Sequence, residues 1–156
     1  MESRESEYAQ AVGRAVRWLE AAPLSTTEDM VFQLLGLVWG GGSPAVVRST
    51  ASRLLVLQRK EGGWSQIPAL GSDPYATGQA LVALHEANAV SLQSPAYRRG
   101  IQYLLNSQLE DGSWHVASRA SAIQPYFDSD FPHGPDQFIS VAASNWASMA
   151  LLTIVR

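Results

Sequence analysis

Asp128 and Asp130 stand two residues apart between Phe127 and Phe131. Two carboxylates sharing a dry pocket push their proton affinities apart and can then serve as general acid and base. The same pair on a loop can equally be turn formers, because a short carboxylate bonds its own backbone. His133, with Asp128, Asp130 or Asp136, offers oxygen and nitrogen donors of the kind a divalent metal takes. His85 falls in a helical stretch and reads as a core or boundary residue, and His115 reads as exposed. With no cysteine in the chain, thiolate metal sites, cysteine nucleophiles and disulfides are excluded. No metal site and no cofactor are expected. Gly40-Gly41-Gly42 lacks the Lys-Ser/Thr that completes a phosphate loop, so it reads as a flexible connector. Phe32, Trp39, Tyr75, Phe138 and Trp146 present π faces that can stabilise a cation, or they simply pack. Asn145 and Ser148, beside Trp146, put polar groups into an apolar stretch, to bond a neighbouring helix or to face a lumen.

The composition narrows the setting for this chemistry. Of the 156 residues, 46% are hydrophobic and 16% charged, and that charge share is below the usual ~25%. Disorder is thereby excluded and extensive burial implied. The length predicts one domain over residues 1–156. Net charge is −3 with no basic stripe, so nucleic acid is not an expected partner. The opening Met-Glu-Ser-Arg-Glu-Ser-Glu holds no apolar signal-peptide core, which leaves a cytoplasmic or a peripheral membrane location open. Gln137 to Val155 carries no charge, yet its serines, Asn145 and Thr153 favour a buried helix over a transmembrane span.

Helix punctuation positions these residues. Ser43-Pro44, Asp73-Pro74 and Ser94-Pro95 each place a capping side chain before a proline that needs no N–H partner at a helix start. Ser25 to Glu28 fits a capping box, and Gly134-Pro135-Asp136 opens the last helix. The predicted helices are 7–21, 27–38, 44–58, 74–88, 95–108 and 136–154, and no alternating strand pattern intervenes. Helices one, three and five are amphipathic. In helix five Tyr97, Ile101, Leu104, Leu105 and Gln108 share one stripe. In helix one Val12, Val16 and Leu19 do so. Helices two, four and six are nearly uncharged and must be shielded. Outer amphipathic helices alternating with inner shielded ones make three hairpins in two layers. About twenty residues, His115 to Gly134, have no helical pattern, and a stretch of that length marks a functional loop or a packed cover. Tyr126, Phe127 and Phe131 within it are candidate pocket-wall residues.

Gln58, Gly62 and Trp64 recur as Gln108, Gly112 and Trp114, fifty residues later, and both glutamines follow a Leu-Leu pair. A repeat of this period indicates a helical array. The glutamine can bond orphan carbonyls at the helix end, the glycine permits a left-handed turn, and the tryptophan plugs the space between repeats.

The double Gln-x-x-x-Gly-x-Trp resembles the QW motif of squalene-hopene and oxidosqualene cyclases and their prenyltransferase-like relatives. Arg99, Gly100, Tyr103, Leu104 and Leu105 extend the second copy. The first copy departs upstream, with Ser49, Thr50 and Arg53. Asp73 to Leu81 and Phe131 to Phe138 are similar to an inner helix and the C-terminal region of bacterial members. The resemblance covers residues 44–156. It implies an all-α fold, an α/α toroid, of which three outer–inner hairpins would form part of a ring. It also implies an apolar concavity for an isoprenoid or lipid, with Tyr75, Tyr126, Phe127, Phe131, His133, Phe138 and Trp146 as pocket candidates. An Asp-x-Asp-Asp acid motif is missing, and the resemblance carries no acid role to Asp128 or Asp130, so no cyclase activity is expected from this chain alone. The Asp-Cys-His zinc site of prenyltransferase relatives cannot form without cysteine. Exposed inner helices would call for a homodimer or for docking to an N-terminal half-toroid. Two other readings stand beside this one: a self-associating interaction module, and an α/α-barrel hydrolase using Asp128 and Asp130.

Overall fold

The computed structural model describes residues 4–119, 121 and 125–155. Six α-helices make up the regular structure: α1 Arg4–Ala21, α2 Thr27–Gly40, α3 Pro44–Val56, α4 Pro74–Glu86, α5 Pro95–Ser107 and α6 Gln137–Val155. A single 3₁₀ turn, Gly134–Asp136, leads into α6. Proline begins three of the helices as expected. Asp73 Oδ1 accepts from the Ala76 N–H at 2.8 Å, and Ser94 Oγ from the Tyr97 N–H at 3.2 Å. Ser43 makes no such bond; its own N–H donates instead to Glu20 Oε1 at 2.7 Å.

α2 starts at Thr27 as expected, but its capping box lies one residue later than Ser25 to Glu28. Thr26 is the N-cap and Asp29 the carboxylate that returns to it. Asp29 Oδ2 accepts from the N–H groups of Ser25 and Thr26, and these bonds hold its carboxyl near pKa 2. The glycine connector is also more ordered than expected. Gly40 closes α2, and Gly41 caps it in the left-handed region at φ 74°.

Two layers form the fold. α4 packs between α2 and α6, while α1 and α3 cover α2 and α5 covers α4. Tyr75 at the start of α4 meets Glu28 at the start of α2, and Glu86 at its end meets Trp39 at the end of α2. The inner helices α2 and α4 therefore run parallel, each preceded by an antiparallel outer helix. The chain is an all-α, partial α/α toroid of three outer–inner hairpins. α4 is the most shielded helix, with ten buried residues between Pro74 and Leu84. α2 and α6 leave apolar side chains in solvent, contrary to the full shielding expected of them. α1 buries no residue completely, and Leu105 of the expected α5 stripe is half exposed.

At the α4–α6 crossing a Cβ on Gly78 would lie 2.7 Å from the Ala147 nitrogen. Two backbones meet there because no side chain separates them.

The two tryptophan turns are near-copies. Each indole is buried, and Nε1 of Trp64 and Trp114 donates to the carbonyl of Leu54 and Leu104 at 2.7 and 2.8 Å. Each glutamine amide, Gln58 or Gln108, donates to the following glycine carbonyl, Gly62 or Gly112, at 2.9 Å. It is thus the indole, not the glutamine, that bonds a carbonyl in the last helical turn, shared with the Leu57 N–H in the first copy and the Ser107 hydroxyl in the second. Gln58 reaches further, donating to Ala96 O at 2.7 Å and tying the first turn to α5. The Trp64 and Trp114 N–H groups bond hydroxyls of the inner helix that follows, Thr77 at 2.9 Å and Ser144 at 3.0 Å. Gly62 and Gly112 sit at φ 95° and 86°, where L side chains are strained.

Candidate functional site

The inner layer turns one face away from the outer helices. On α2 this face carries Glu28, Phe32 and Trp39, at i, i+4 and i+11. On α4 it carries Tyr75, Gln79, Val82 and Glu86, again helically spaced. On α6 it carries Phe138, Asn145, Met149 and Leu152. Phe32, Trp39, Phe138, Met149 and Leu152 are between 46% and 69% exposed, which makes the surface apolar and open.

Three contacts organise it. At one end the Tyr75 hydroxyl donates to Glu28 Oε1 at 2.6 Å, and the Gln79 amide reaches the same oxygen at 3.5 Å. Burial, then the Glu28 carboxylate, raises the Tyr75 hydroxyl to about 12, so it remains a donor. In the middle Phe32 and Trp146 meet edge to face, with centroids 6.3 Å apart and planes at 75°. At the far end Trp39 Nε1 donates to Glu86 Oε2 at 3.2 Å. Both polar contacts join residues 47 apart, so α2 and α4 keep one register along their length. A cleft of 470 Å³ opens beside Glu86, lined by Val82, His85, Leu92, Met149, Leu152 and Thr153.

The loop after Trp114 is held by Gln137, which is fully buried. Its amide donates to Phe127 O at 2.7 Å and its oxygen accepts from the Ser129 N–H at 2.5 Å. Arg119 comes within 3.7 Å of Asp73, so the loop reaches the start of α4. Asp128 Oδ1 accepts from the Asp130 N–H at 3.0 Å, and Asp130 has φ 63°. These two exposed carboxylates shape a turn. Tyr126 and Phe127 are exposed on the same loop.

His133 sits 2.8 Å from Ser113 Oγ, and Ser113 Oγ donates to Asp111 Oδ1 at 2.7 Å. With that proton committed to Asp111, His133 is the donor in its own bond and not a base for the serine. The Ser113 hydroxyl and N–H hold the Asp111 carboxyl below its ordinary range. His115 is bonded to Asp136 at 2.8 Å, and the two imidazoles are 4.9 Å apart. The Ser118 N–H, then His115, lower the Asp136 carboxyl. Phe131 lies edge-on to His133 at 6.2 Å. Among the described residues no three His, Asp or Glu side chains converge as a metal site.

Seven pocket residues were expected from sequence. Tyr75, Phe138 and Trp146 stand on the inner helices, whereas Tyr126, Phe127, Phe131 and His133 belong to the loop. The sequence reading missed Glu28 as the partner of Tyr75 and Glu86 as the partner of Trp39. The equal 47-residue spacing of the two pairs was the signal available for them.

No protein-family model matches the chain. Half of it is 32% identical, over 78 residues, to lanosterol synthase of Saccharomyces cerevisiae. The chain spans about a tenth of that relative's length, 10%. The structure is similar to the native conformation of E. coli alpha-2-macroglobulin seen by cryo-EM. The TM-score is 0.59 and the identity 23%, over 90% of this chain and 9% of that one. A crystal structure of native alpha-2-macroglobulin from Escherichia coli, spanning domain MG7 to the C-terminus, gives a TM-score of 0.50. Identity there is 24%, over 65% of this chain and 19% of that one. The likeness to alpha-2-macroglobulin is one of fold. The likeness to the synthase adds a terpene-cyclase-like repeat sequence.

By length and composition, Gly134–Val155 would suffice to cross a membrane. In the fold this segment packs along α4.

Proposed function

We propose that this chain is a terpene-cyclase-like repeat domain whose inner face supplies one wall of a pocket for an isoprenoid or similar lipid. It does not start a cyclisation itself. The observation that carries the reading is the exposed apolar surface of Phe32, Trp39, Phe138, Met149 and Leu152 on the inner layer, with Trp146 partly buried against Phe32. Monomers seldom expose such a surface without a use for it. The identity to lanosterol synthase supports the ligand class. The turn-forming geometry of Asp128 and Asp130 supports the non-catalytic part.

Tryptophan fluorescence tests it. Trp39 and Trp146 lie on the inner face, while Trp64 and Trp114 are buried in turns. Farnesol or squalene added to the chain should shift and quench the emission. Trp39→Phe and Trp146→Phe should remove most of that change, and Trp114→Phe should not. No spectral change with either lipid would overturn the reading, and hydrocarbon cyclisation by this chain alone would overturn its non-catalytic part.

A further inference from the structure

The inner face is chemically asymmetric. Glu28 and Tyr75 stand at one end, and apolar side chains run from Phe32 and Trp146 to Leu152. From Tyr75 to Glu86 the face extends about 16 Å at 1.5 Å per residue. The helices that build it carry Glu28, Asp29 and Glu86 but no lysine or arginine. The guanidinium groups described at that end are engaged elsewhere: Arg119 lies against Asp73, and Arg59 donates to Ser65, Pro68 and Leu70.

Hydrogen-bonding capacity at the polar end is also one-sided. Glu28 is exposed. Its Oε1 takes the Tyr75 hydroxyl and the distant Gln79 amide, and no other bond to the Glu28 side chain occurs among the described residues. An ionised carboxylate has about four acceptor sites, so Oε2 is open to a donor. Gln79 is buried, and its Oε1 has no partner among the described residues. A buried acceptor left unpaired is costly. The open Glu28 carboxylate thus stands where the apolar strip begins, and the helices that form the face supply no lysine or arginine to receive an anion.

We infer that the ligand of this face is an amphiphile whose head donates hydrogen bonds, an alcohol or a primary ammonium, and that it lies with its head at Glu28 and its chain along Phe32 and Trp146. This names the ligand class for the reading given above and rests on it. A diphosphate head, all acceptors and negative, meets repulsion at Glu28 and finds no partner. An ammonium gains a charge-assisted bond to the carboxylate, the stronger kind.

The test compares farnesylamine, farnesol, farnesyl diphosphate and squalene in the tryptophan assay, on the wild-type chain and on Glu28→Gln and Tyr75→Phe. Glu28 is exposed, and circular dichroism confirms that the variants remain helical. The expected order is amine, then alcohol, then diphosphate. One charge-assisted bond separates amine from diphosphate by about tenfold or more. Glu28→Gln should erase the amine advantage while squalene binding stays unchanged. Tyr75→Phe, which frees Glu28 Oε1, should leave the order intact. Equal binding of all four compounds would overturn the inference but leave the apolar wall standing. Tightest binding of the diphosphate, or an amine advantage that survives Glu28→Gln, would overturn it as well. Binding of none would remove the underlying reading too.

Discussion

The indole nitrogen of Trp64 donates to the carbonyl of Leu54 at 2.7 Å, and so the tryptophan that follows helix α3 is also its C-terminal cap. Trp114 does the same for Leu104, at 2.8 Å. The residue that fills the gap between hairpins is thereby also one that bonds a carbonyl in the last turn of the outer helix.

Trp64→Phe keeps much of the buried ring but leaves the Leu54 carbonyl only its 3.2 Å bond from the Leu57 N–H. A stability loss of about 1–2 kcal/mol is expected from the lost buried hydrogen bond and the smaller ring. Trp64→Ala should cost about 4 kcal/mol. Urea denaturation checks both, and a Trp64→Phe variant as stable as the wild type would show that the indole bond contributes nothing.

Gly62→Ala and Gly112→Ala should differ. Both force a Cβ into the left-handed region, at a cost of about 1–2 kcal/mol. At Gly62 the new atom also meets the Arg99 backbone, whereas nothing lies near Gly112. Overpacking adds about another 1–3 kcal/mol at Gly62 only. Thermal melts of the two variants measure the gap.

Gly78→Ala would ordinarily stabilise a helix interior by up to about 1 kcal/mol. Here the added methyl presses on the backbone at Trp146 and Ala147, and a net loss of about 2 kcal/mol is expected. A gain in melting temperature would contradict the tight α4–α6 crossing.

Asp29 should give the fold an acid-sensitive contribution. Its folded pKa of about 2 lies below the ordinary carboxylate value, so the unfolded chain binds the proton more readily. Its stabilisation is complete above the unfolded pKa and fades as pH falls from about 4 towards 2. Asp29→Asn should flatten the stability-versus-pH curve in that window, as followed by urea midpoints at several pH values.

Much of this fold can be read from local chemistry. Pro44, Pro74 and Pro95 mark helix starts that the structure keeps to the residue, because a fixed φ and a missing N–H act on their own segment. The tryptophan turns are equally local. What escapes is decided at long range. Ser25 with Glu28 and Thr26 with Asp29 both suit a capping box. Thr27 settles the choice by bonding the carbonyls of Ser65 and Gln66 at 2.6 and 3.0 Å, which fixes where α2 begins. That in turn leaves Glu28 for Tyr75. The loop after Trp114 has no period to read, and Gln137 organises it through contacts eight and ten residues back.

Repeat arrays ordinarily touch only their neighbours, like beads that can flex at each joint. The Phe32–Trp146 contact departs from that rule, since it links the first hairpin to the third across the second. It acts as the string of a bow. To straighten the arc, the rings must part; to close it further, they must collide. The curvature of the half-ring is therefore set by two side chains that lie on the very surface where a lipid would rest.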